Sequence, residues 1–391
     1  MPYSRSESRR GKSRIAVISS YTISLTNFRY RLLAAMVERG YEVVAFGPEY
    51  DPAVVDRLDH IGVTFMQIPM ERAGFNPFTD IRTLLGLYVA LRRVKPDIVL
   101  SYTMKPIIYG LMAARMAGIS QRHALVTGLG YVFGSGADTW RRRLLRKVAS
   151  TLYRIALAGT GKVFVYNGAD EHDIRADRMV ADTTRIVRVA GSGVDLKEFP
   201  SEPVPQGPVA FLMVARLLRD KGVFEFADAA RRLHRDFPHA RFQLLGRSDP
   251  GPSGIGANDI EEWRQNGPID YLGETDDVRP YLSAAAVFVL PSYYREGIPR
   301  SILEAMAVGR PIITTDLPGC RDTVVEGDNG FLVPPRDADE LTVAMKRFLT
   351  DPGLAAEMGA RSRALAEERF DVEAVNRVLL DAMAISPARG S

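Results

Sequence analysis

The sequence predicts an α/β protein of two doubly wound parallel-sheet domains facing a cleft. Three observations carry that expectation. Short, continuously apolar runs alternate with segments of helical period, as in parallel strands buried on both faces. The alternation breaks once, over residues 191–208 (GSGVDLKEFPSEPVPQGP), a Gly- and Pro-rich stretch without periodicity. The chain has 391 residues, 46% of them apolar and 25% charged, which is enough for two cores of ordinary soluble composition.

Residues 15–19 (IAVIS) read as the first strand, 29–39 as a helix stopped by Gly40, and 41–46 (YEVVAF) as the second strand. Strands follow at 63–68, 97–102 (DIVLSY), 124–127 and 162–166, with a helix ending near Lys95. After the linker the pattern restarts with a strand at 209–214, a helix at 223–237 and strands at 241–245, 270–272 and 286–290. A helix begins near Pro299 and stops at Gly309, a residue suited to the position just past a helix end. Strands at 311–315 and 330–333 close the set, and helices at 338–349, 354–370 and 372–383 end the chain. The expected division is a disordered polar tail at 1–13, domains at 14–200 and 201–371, and a final helix at 372–391 placed to pack back on the first domain.

One cysteine, Cys320, excludes a disulfide framework and a Cys-based zinc site. Residues 1–13 hold no apolar stretch, so they do not read as a secretory signal. The most apolar long segment, 107–119, is interrupted by Arg115 and falls short of the roughly 20 residues of a spanning helix. Charge is unevenly spread. Residues 1–200 carry 29 Lys and Arg against 18 Asp and Glu, and the remainder 22 against 29. The first half therefore attracts anions: a phosphorylated ligand, an anionic membrane face or nucleic acid. No helix-turn-helix, zinc-finger or RNA-binding sheet signature accompanies it, so no nucleic-acid partner is expected. Residues 139–157 (TWRRRLLRKVASTLYRIAL) combine a stripe at helical spacing (Trp140, Leu144, Val148, Leu152, Ile155) with Arg141, Arg142, Arg143, Arg146 and Lys147. Such a helix either lies on an anionic leaflet or packs its stripe on the sheet.

Two constellations carry chemistry. In VARLLRDKGV, Arg216 follows a strand end and Lys221 precedes the next helix. Two cations so placed can hold a diphosphate by charge-assisted hydrogen bonds. In PSYYREGIPRSILEAMAVGR, the strand AVFVL runs into a loop bearing Glu296, and Glu304 lies eight residues on, inside the next helix. The N–H groups over Gly297, Ile298, Arg300 and Ser301, beside Pro299, form a helix start suited to an anion. No metal is expected. Asp337 and Asp339 superficially resemble a metal pair, but at the head of an amphipathic helix they read as its cap.

Together these segments, with YLGETDDV at 271–278, resemble the family-4 glycosyltransferases of the two-lobed GT-B fold, each lobe Rossmann-like. The resemblance implies a nucleotide-sugar-binding second domain in which Arg216 and Lys221 hold the donor diphosphate. It further implies that Glu296 contacts the transferred sugar and Glu304 the ribose hydroxyls, with retention of anomeric configuration and no required metal or cofactor. SYTMKPIIYG at 101–110 and VTGLGYVFG at 126–134 are similar to a subgroup acting on undecaprenyl-diphosphate-linked sugars, N-acetylgalactosaminyltransferases of bacterial N-glycosylation among them. That implies an acceptor-binding first domain, a UDP-sugar donor, a lipid-diphosphate-linked glycan acceptor and a cytoplasmic position on the inner membrane face. Two features depart from the family. The loop after the first strand is SSYTISLTN rather than Gly-rich, and Thr127 stands where many members have histidine. His123 reads as a structural strand residue, and Lys105, Thr127, Gly128 and Asn27 are the expected cleft contacts. A UDP-N-acetylglucosamine 2-epimerase of the same fold and a catalytically silent nucleotide-sugar-binding protein are the competing readings.

Overall fold

The computed structural model describes residues 13–386 except 72, 73, 75, 131, 132, 134–138 and 250–252; the expected tail, but for Ser13, lies outside the described residues. Two wholly parallel sheets form the two lobes. The first has seven strands: β1 (Arg14–Ile18), β2 (Glu42–Gly47), β3 (Val63–Gln67), β4 (Ile98–Tyr102), β5 (Gln121–Val126), β6 (Lys162–Val165) and β7 (Ile186–Arg188), in the order β3-β2-β1-β4-β5-β6-β7. The second has six: β8 (Ala210–Val214), β9 (Arg241–Leu245), β10 (Ile269–Tyr271), β11 (Val287–Leu290), β12 (Ile312–Thr315) and β13 (Gly330–Val333), in the order β10-β9-β8-β11-β12-β13. The order reverses beside β1 in one sheet and beside β8 in the other. That is where doubly wound sheets open a crevice at their strand carboxyl ends.

The central strands are apolar throughout because helices cover both faces. One face of the first sheet carries α1 (Ile23–Asn27), α2 (Tyr30–Glu38) and α3 (Pro52–His60). The other carries α4 (Pro77–Val94), α5 (Leu111–Met116) and α6 (Trp140–Leu157), which share a core with Ile18, Phe46, Val99 and Val165. A π-helical turn, Pro106–Gly110, leads into α5, and α7 (Gly168–Ala176) follows β6. The second lobe holds α8 (Val223–Asp236), α9 (Ala257–Asn266), α10 (Arg279–Ala284), α11 (Arg300–Val308), α12 (Ala338–Thr350), α13 (Leu354–Arg369) and α14 (Val372–Ala382).

Of the stripe on α6, Leu152 alone packs on the core of the lobe, half-buried. Trp140, Leu144, Val148 and Ile155 face solvent, and the helix is seated instead through Ala149, Ser150, Tyr153, Ala156 and Leu157. That side packs on the π-helical turn at Pro106–Gly110 and on α5, which leaves those four side chains outward. Arg141, Arg143, Arg146 and Lys147 are exposed beside them and Arg142 is half-buried; Arg146 pairs with Asp177 on α7's C-terminal flank at 2.8 Å. No helix among the described residues is long and apolar enough to cross a membrane. The chain returns to the first lobe at its end. Val194 and Phe370 share a backbone hydrogen bond of 2.7 Å, α14 packs on α2, and Arg39 meets Asp381 at 3.2 Å.

Candidate functional site

A cleft of about 710 Å³ opens between the lobes. Its second-lobe wall contains Arg216, Lys221, Glu296, Pro299, Arg300, Ser301 and Glu304, and its first-lobe wall contains Asn27. Residues from two loops, after β8 and after β11, thus meet at one place, because β8 and β11 are neighbours in the sheet.

The two loops are tied together. Lys221 Nζ donates to Glu296 Oε1 at 2.6 Å, and Ser292 Oγ donates to the same oxygen at 2.7 Å. Both bonds fall on Oε1; among the described residues Oε2 accepts none. Backbone bonds fix the rest: the N–H groups of Tyr293 and Tyr294 both donate to Asp220 O at 2.8 Å. Gly222, at φ 81°, sits so close to the later loop that a Cβ would stand 2.2 Å from Pro291 O. Glycine is the residue that adopts this backbone without a Cβ in the way. Lys221 and Glu296 are each largely buried, so their attraction acts in a medium less polar than water. Arg216 is more exposed and reaches Asp249 at 2.9 Å through Nη1.

Helix α11 begins at Pro299 without a side-chain cap, so its first N–H groups face the cleft end of the lobe. Glu304 lies one turn inside and accepts from Arg300 Nε at 2.9 Å. Burial holds its carboxyl above the usual range, and the Arg300 guanidinium opposes that rise. Gly309 ends α11 in the left-handed region at φ 84°.

Some expected contacts lie elsewhere. Lys105 is not in the cleft: it is buried in the first lobe, donating to Asp80 at 2.9 Å beneath α4. An ammonium in that interior needs a carboxylate, and Asp80 supplies it. Gly297, Ile298, Thr127 and Gly128 do not line the cleft either, but fill the contact between lobes. A Cβ on Gly128 would stand 2.7 Å from Gly297 N, and one on Gly191 3.0 Å from Ile298 Cβ. His123 is buried in β5. Asp337 caps α12, accepting from the N–H groups of Asp339 and Glu340 at 3.0 Å each. Among the described residues no three His, Cys, Asp or Glu side chains gather as they would around a metal ion.

Sequence reasoning missed three participants. Ser292 was visible as the serine of Pro291–Ser292 but had no reason to be singled out. Gly319 backs the site: a Cβ there would stand 1.6 Å from Gly297 O, and the Pro-Gly pair after β12 was its only signal. Arg295 crosses from the second lobe to bond Phe133 O at 2.9 Å and to pair with Asp170 and Asp173 on α7.

Family models match both lobes. Residues 26–192 match the glycosyl transferase 4-like domain, and residues 208–351 match glycosyl transferases group 1. The chain is 28% identical over 355 residues to the N,N'-diacetylbacillosaminyl-diphospho-undecaprenol alpha-1,3-N-acetylgalactosaminyltransferase of Campylobacter jejuni, covering 87% of this chain and 90% of that one. It is 28% identical over 317 residues to the UDP-Gal:alpha-D-GlcNAc-diphosphoundecaprenol alpha-1,3-galactosyltransferase of Escherichia coli, covering 76% and 78%. Among solved structures, sucrose-phosphate synthase from Thermosynechococcus elongatus superposes with a TM-score of 0.78 at 23% identity, covering 95% of this chain and 98% of that one. Anabaena HepE in complex with UDP and glucose superposes at 0.72 and 18% identity, covering 95% and 99%. The 2-epimerase reading finds no support in the Campylobacter jejuni and Escherichia coli relatives, which are named as transferases. With both lobes matched and the two-sheet architecture shared, the chain belongs to the family-4 glycosyltransferases of the GT-B fold.

Proposed function

We propose that the protein transfers a sugar, an N-acetylhexosamine or a hexose, from a UDP-sugar to a polyprenyl-diphosphate-linked glycan, with retention and without a required metal or cofactor. The observation that supports this reading best is the meeting of Arg216, Lys221, Glu296 and Glu304 on one cleft wall. Breaking a sugar–diphosphate bond leaves negative charge on the departing phosphate. Arg216, Lys221 and the uncapped start of α11 at Arg300 and Ser301 are fixed positive groups at that place, and they cost no reorganisation as charge develops. Lys221 serves twice: it also neutralises Glu296, so a carboxylate can stand beside the diphosphate without repelling it. With Oε1 held by Lys221 and Ser292, Oε2 of Glu296 is the oxygen for a hydroxyl of the transferred sugar. Glu304, deeper in α11, takes the ribose hydroxyls. In the retaining route, the leaving phosphate oxygen accepts the acceptor's proton as the new bond forms on the same face.

A glycoside hydrolase would need two carboxylates working on one bond. The bond from Lys221 to Glu296 instead commits one carboxylate to a cation. The relatives named for undecaprenyl-diphosphate substrates support the lipid-linked acceptor. An acceptor of that kind places the enzyme on the cytoplasmic side of the cell membrane, held peripherally on anionic lipid.

The test is a matrix of UDP-sugars against synthetic polyprenyl-diphosphate glycans, with products read by mass. The expected result is one donor giving one added sugar and free UDP. Lys221→Ala and Arg216→Ala each lower that turnover by about 10²–10³; near-normal turnover in both variants refutes the assignment of these cations.

A further inference from the structure

The layer α4–α5–α6 has an outer face unlike the rest of the surface. On α4, Phe78, Ile81, Leu85 and Val89 point outward at helical spacing, with Phe78 85% exposed. On α6, Trp140 is 70% exposed and Leu144, Val148 and Ile155 continue its row. These helices pack on the same π-turn and on α5, so the two rows belong to one face of the lobe. The three helices carry ten Arg and Lys residues and one acid, Asp80, which is buried against Lys105. Apolar rows ringed by positive charge, with no exposed carboxylate on any of the three helices, fit one chemistry: an anionic phospholipid leaflet.

We propose that α4 and α6 together form the membrane-docking face, with Phe78 and Trp140 as its inserted anchors. Resting on the peripheral attachment proposed above, this names the surface and adds α4, whose segment carries no basic cluster at its start to announce it. The topology gives the face an orientation. Each helix starts after a strand's carboxyl end, so Phe78 and Trp140 stand at the cleft edge of the lobe. Asn76 and Thr139 cap the two starts, accepting from Phe78 N–H at 3.1 Å and Arg142 N–H at 3.3 Å, and hold both anchors in the first turn. Docked this way, the cleft mouth opens at headgroup level. A diphosphate carried on a lipid tail lies at that height, and the apolar rows need no separate groove for the tail.

The chain supplies its own probe. It has two tryptophans; Trp263 is 4% exposed, so an emission change on docking reports Trp140. Full-length protein is mixed with phosphatidylglycerol vesicles and with phosphatidylcholine vesicles, and both sedimentation and emission are read. The expected result is sedimentation with phosphatidylglycerol at least tenfold stronger than with phosphatidylcholine, and a blue shift quenched by brominated acyl chains. Phe78→Glu with Ile81→Glu reduces sedimentation at least tenfold, whereas Val343→Glu, an exposed apolar residue on α12 of the other lobe, leaves it unchanged. Phe78→Trp gives a second quenchable emission, which keeps the test valid where the charged pair fails to fold. Wild-type sedimentation by the charged pair, an unshifted Trp140 in sedimented protein, or a wild-type dimer that these substitutions dissociate overturns the proposal. Wild-type protein that transfers sugar to detergent-solubilised acceptor yet ignores vesicles fails this proposal alone. Protein that docks yet transfers nothing fails the transferase reading alone.

Discussion

His123 sits mid-strand in β5 with both ring nitrogens buried and unpartnered, its ring against Gly161 and near Phe164. Burial, with the Lys162 charge adding to it, pulls its pKa down to about 4. The imidazole is therefore neutral in the folded protein, whereas in the unfolded chain it titrates near 6.5. A histidine with a depressed folded pKa contributes stability above its unfolded value and loses it as pH falls towards the folded one. Between pH 7 and pH 5 that loss is about 2 kcal/mol. Urea titrations at the two pH values measure it, and His123→Leu removes most of the difference. An unchanged pH dependence in that variant means that other groups carry it. The same burial keeps the residue out of the cleft lining, so it offers no base there. Lys105 teaches the converse at this scale. In SYTMKPIIYG it reads as a cation near a strand end, and only the fold shows that Asp80, 25 residues earlier, has taken its charge.

At the scale of elements, the loop from Pro291 to Pro299 works because the segment after β12 supports it. Gly319 turns at φ 87° directly behind Gly297, and Gly319 N–H donates to Asp322 at 3.0 Å. Gly319→Ala meets two costs: a left-handed backbone of about 1–2 kcal/mol and a Cβ driven into Gly297 O. Relief requires the loop to move, and Glu296 moves with it. The expected outcome is a urea midpoint lowered by at least that amount, and turnover reduced by more than the stability loss explains; normal turnover would show that the loop position is not critical. Why Gly319 was invisible while Glu296 was not is a matter of range. Strands such as Arg241–Leu245 and Gly330–Val333 were legible to the residue, because a short, largely apolar segment bounded by turn residues is a local signal. β7 (Ile186–Arg188) was missed: two half-exposed residues and an exposed Arg188 at a sheet edge carry too little pattern. In the site, charged residues at strand ends announced themselves, while backing residues, identified only by what they touch 20 or more positions away, did not. The stripe on α6 was legible as amphipathic but not in its orientation, which is set by the π-helical turn and α5 on which Ala149, Tyr153 and Ala156 are seated.

At the scale of the whole molecule, a guanidinium next to Glu296 crosses between the lobes, beside the close approach of Gly128 to Gly297 and the bond from Arg300 to Gly193 O at 2.9 Å. Arg295 is the neighbour of Glu296, and it leaves its own lobe to meet Asp170, whose side chain is wholly buried in the other. Asn167 bonds the second oxygen of Asp170 at 3.0 Å. Burial pushes the Asp170 carboxyl up, and Arg295 pulls it back towards the ionised form. Through Phe133 O and Tyr153, the same cluster touches α6. Arg295→Leu strands a buried carboxylate, at a cost of about 3–5 kcal/mol. The raised carboxyl then rises further, so the sign of the pH effect follows: its protonated form tolerates burial, and the deficit shrinks as pH falls from 7.5 to 5. Arg295→Leu with Asp170→Asn removes the stranded charge and recovers a large part of the stability. It does not restore the lobe contact, so transfer stays depressed by up to about 10²-fold, the effect of a misplacement near 1 Å. UDP affinity is expected to be unchanged, because the proposed UDP contacts Arg216, Lys221 and Glu304 stand on the second lobe. Urea titration, UDP binding and turnover on the three proteins separate these effects. Full turnover in the double variant would show that the lobes find their catalytic arrangement without Arg295.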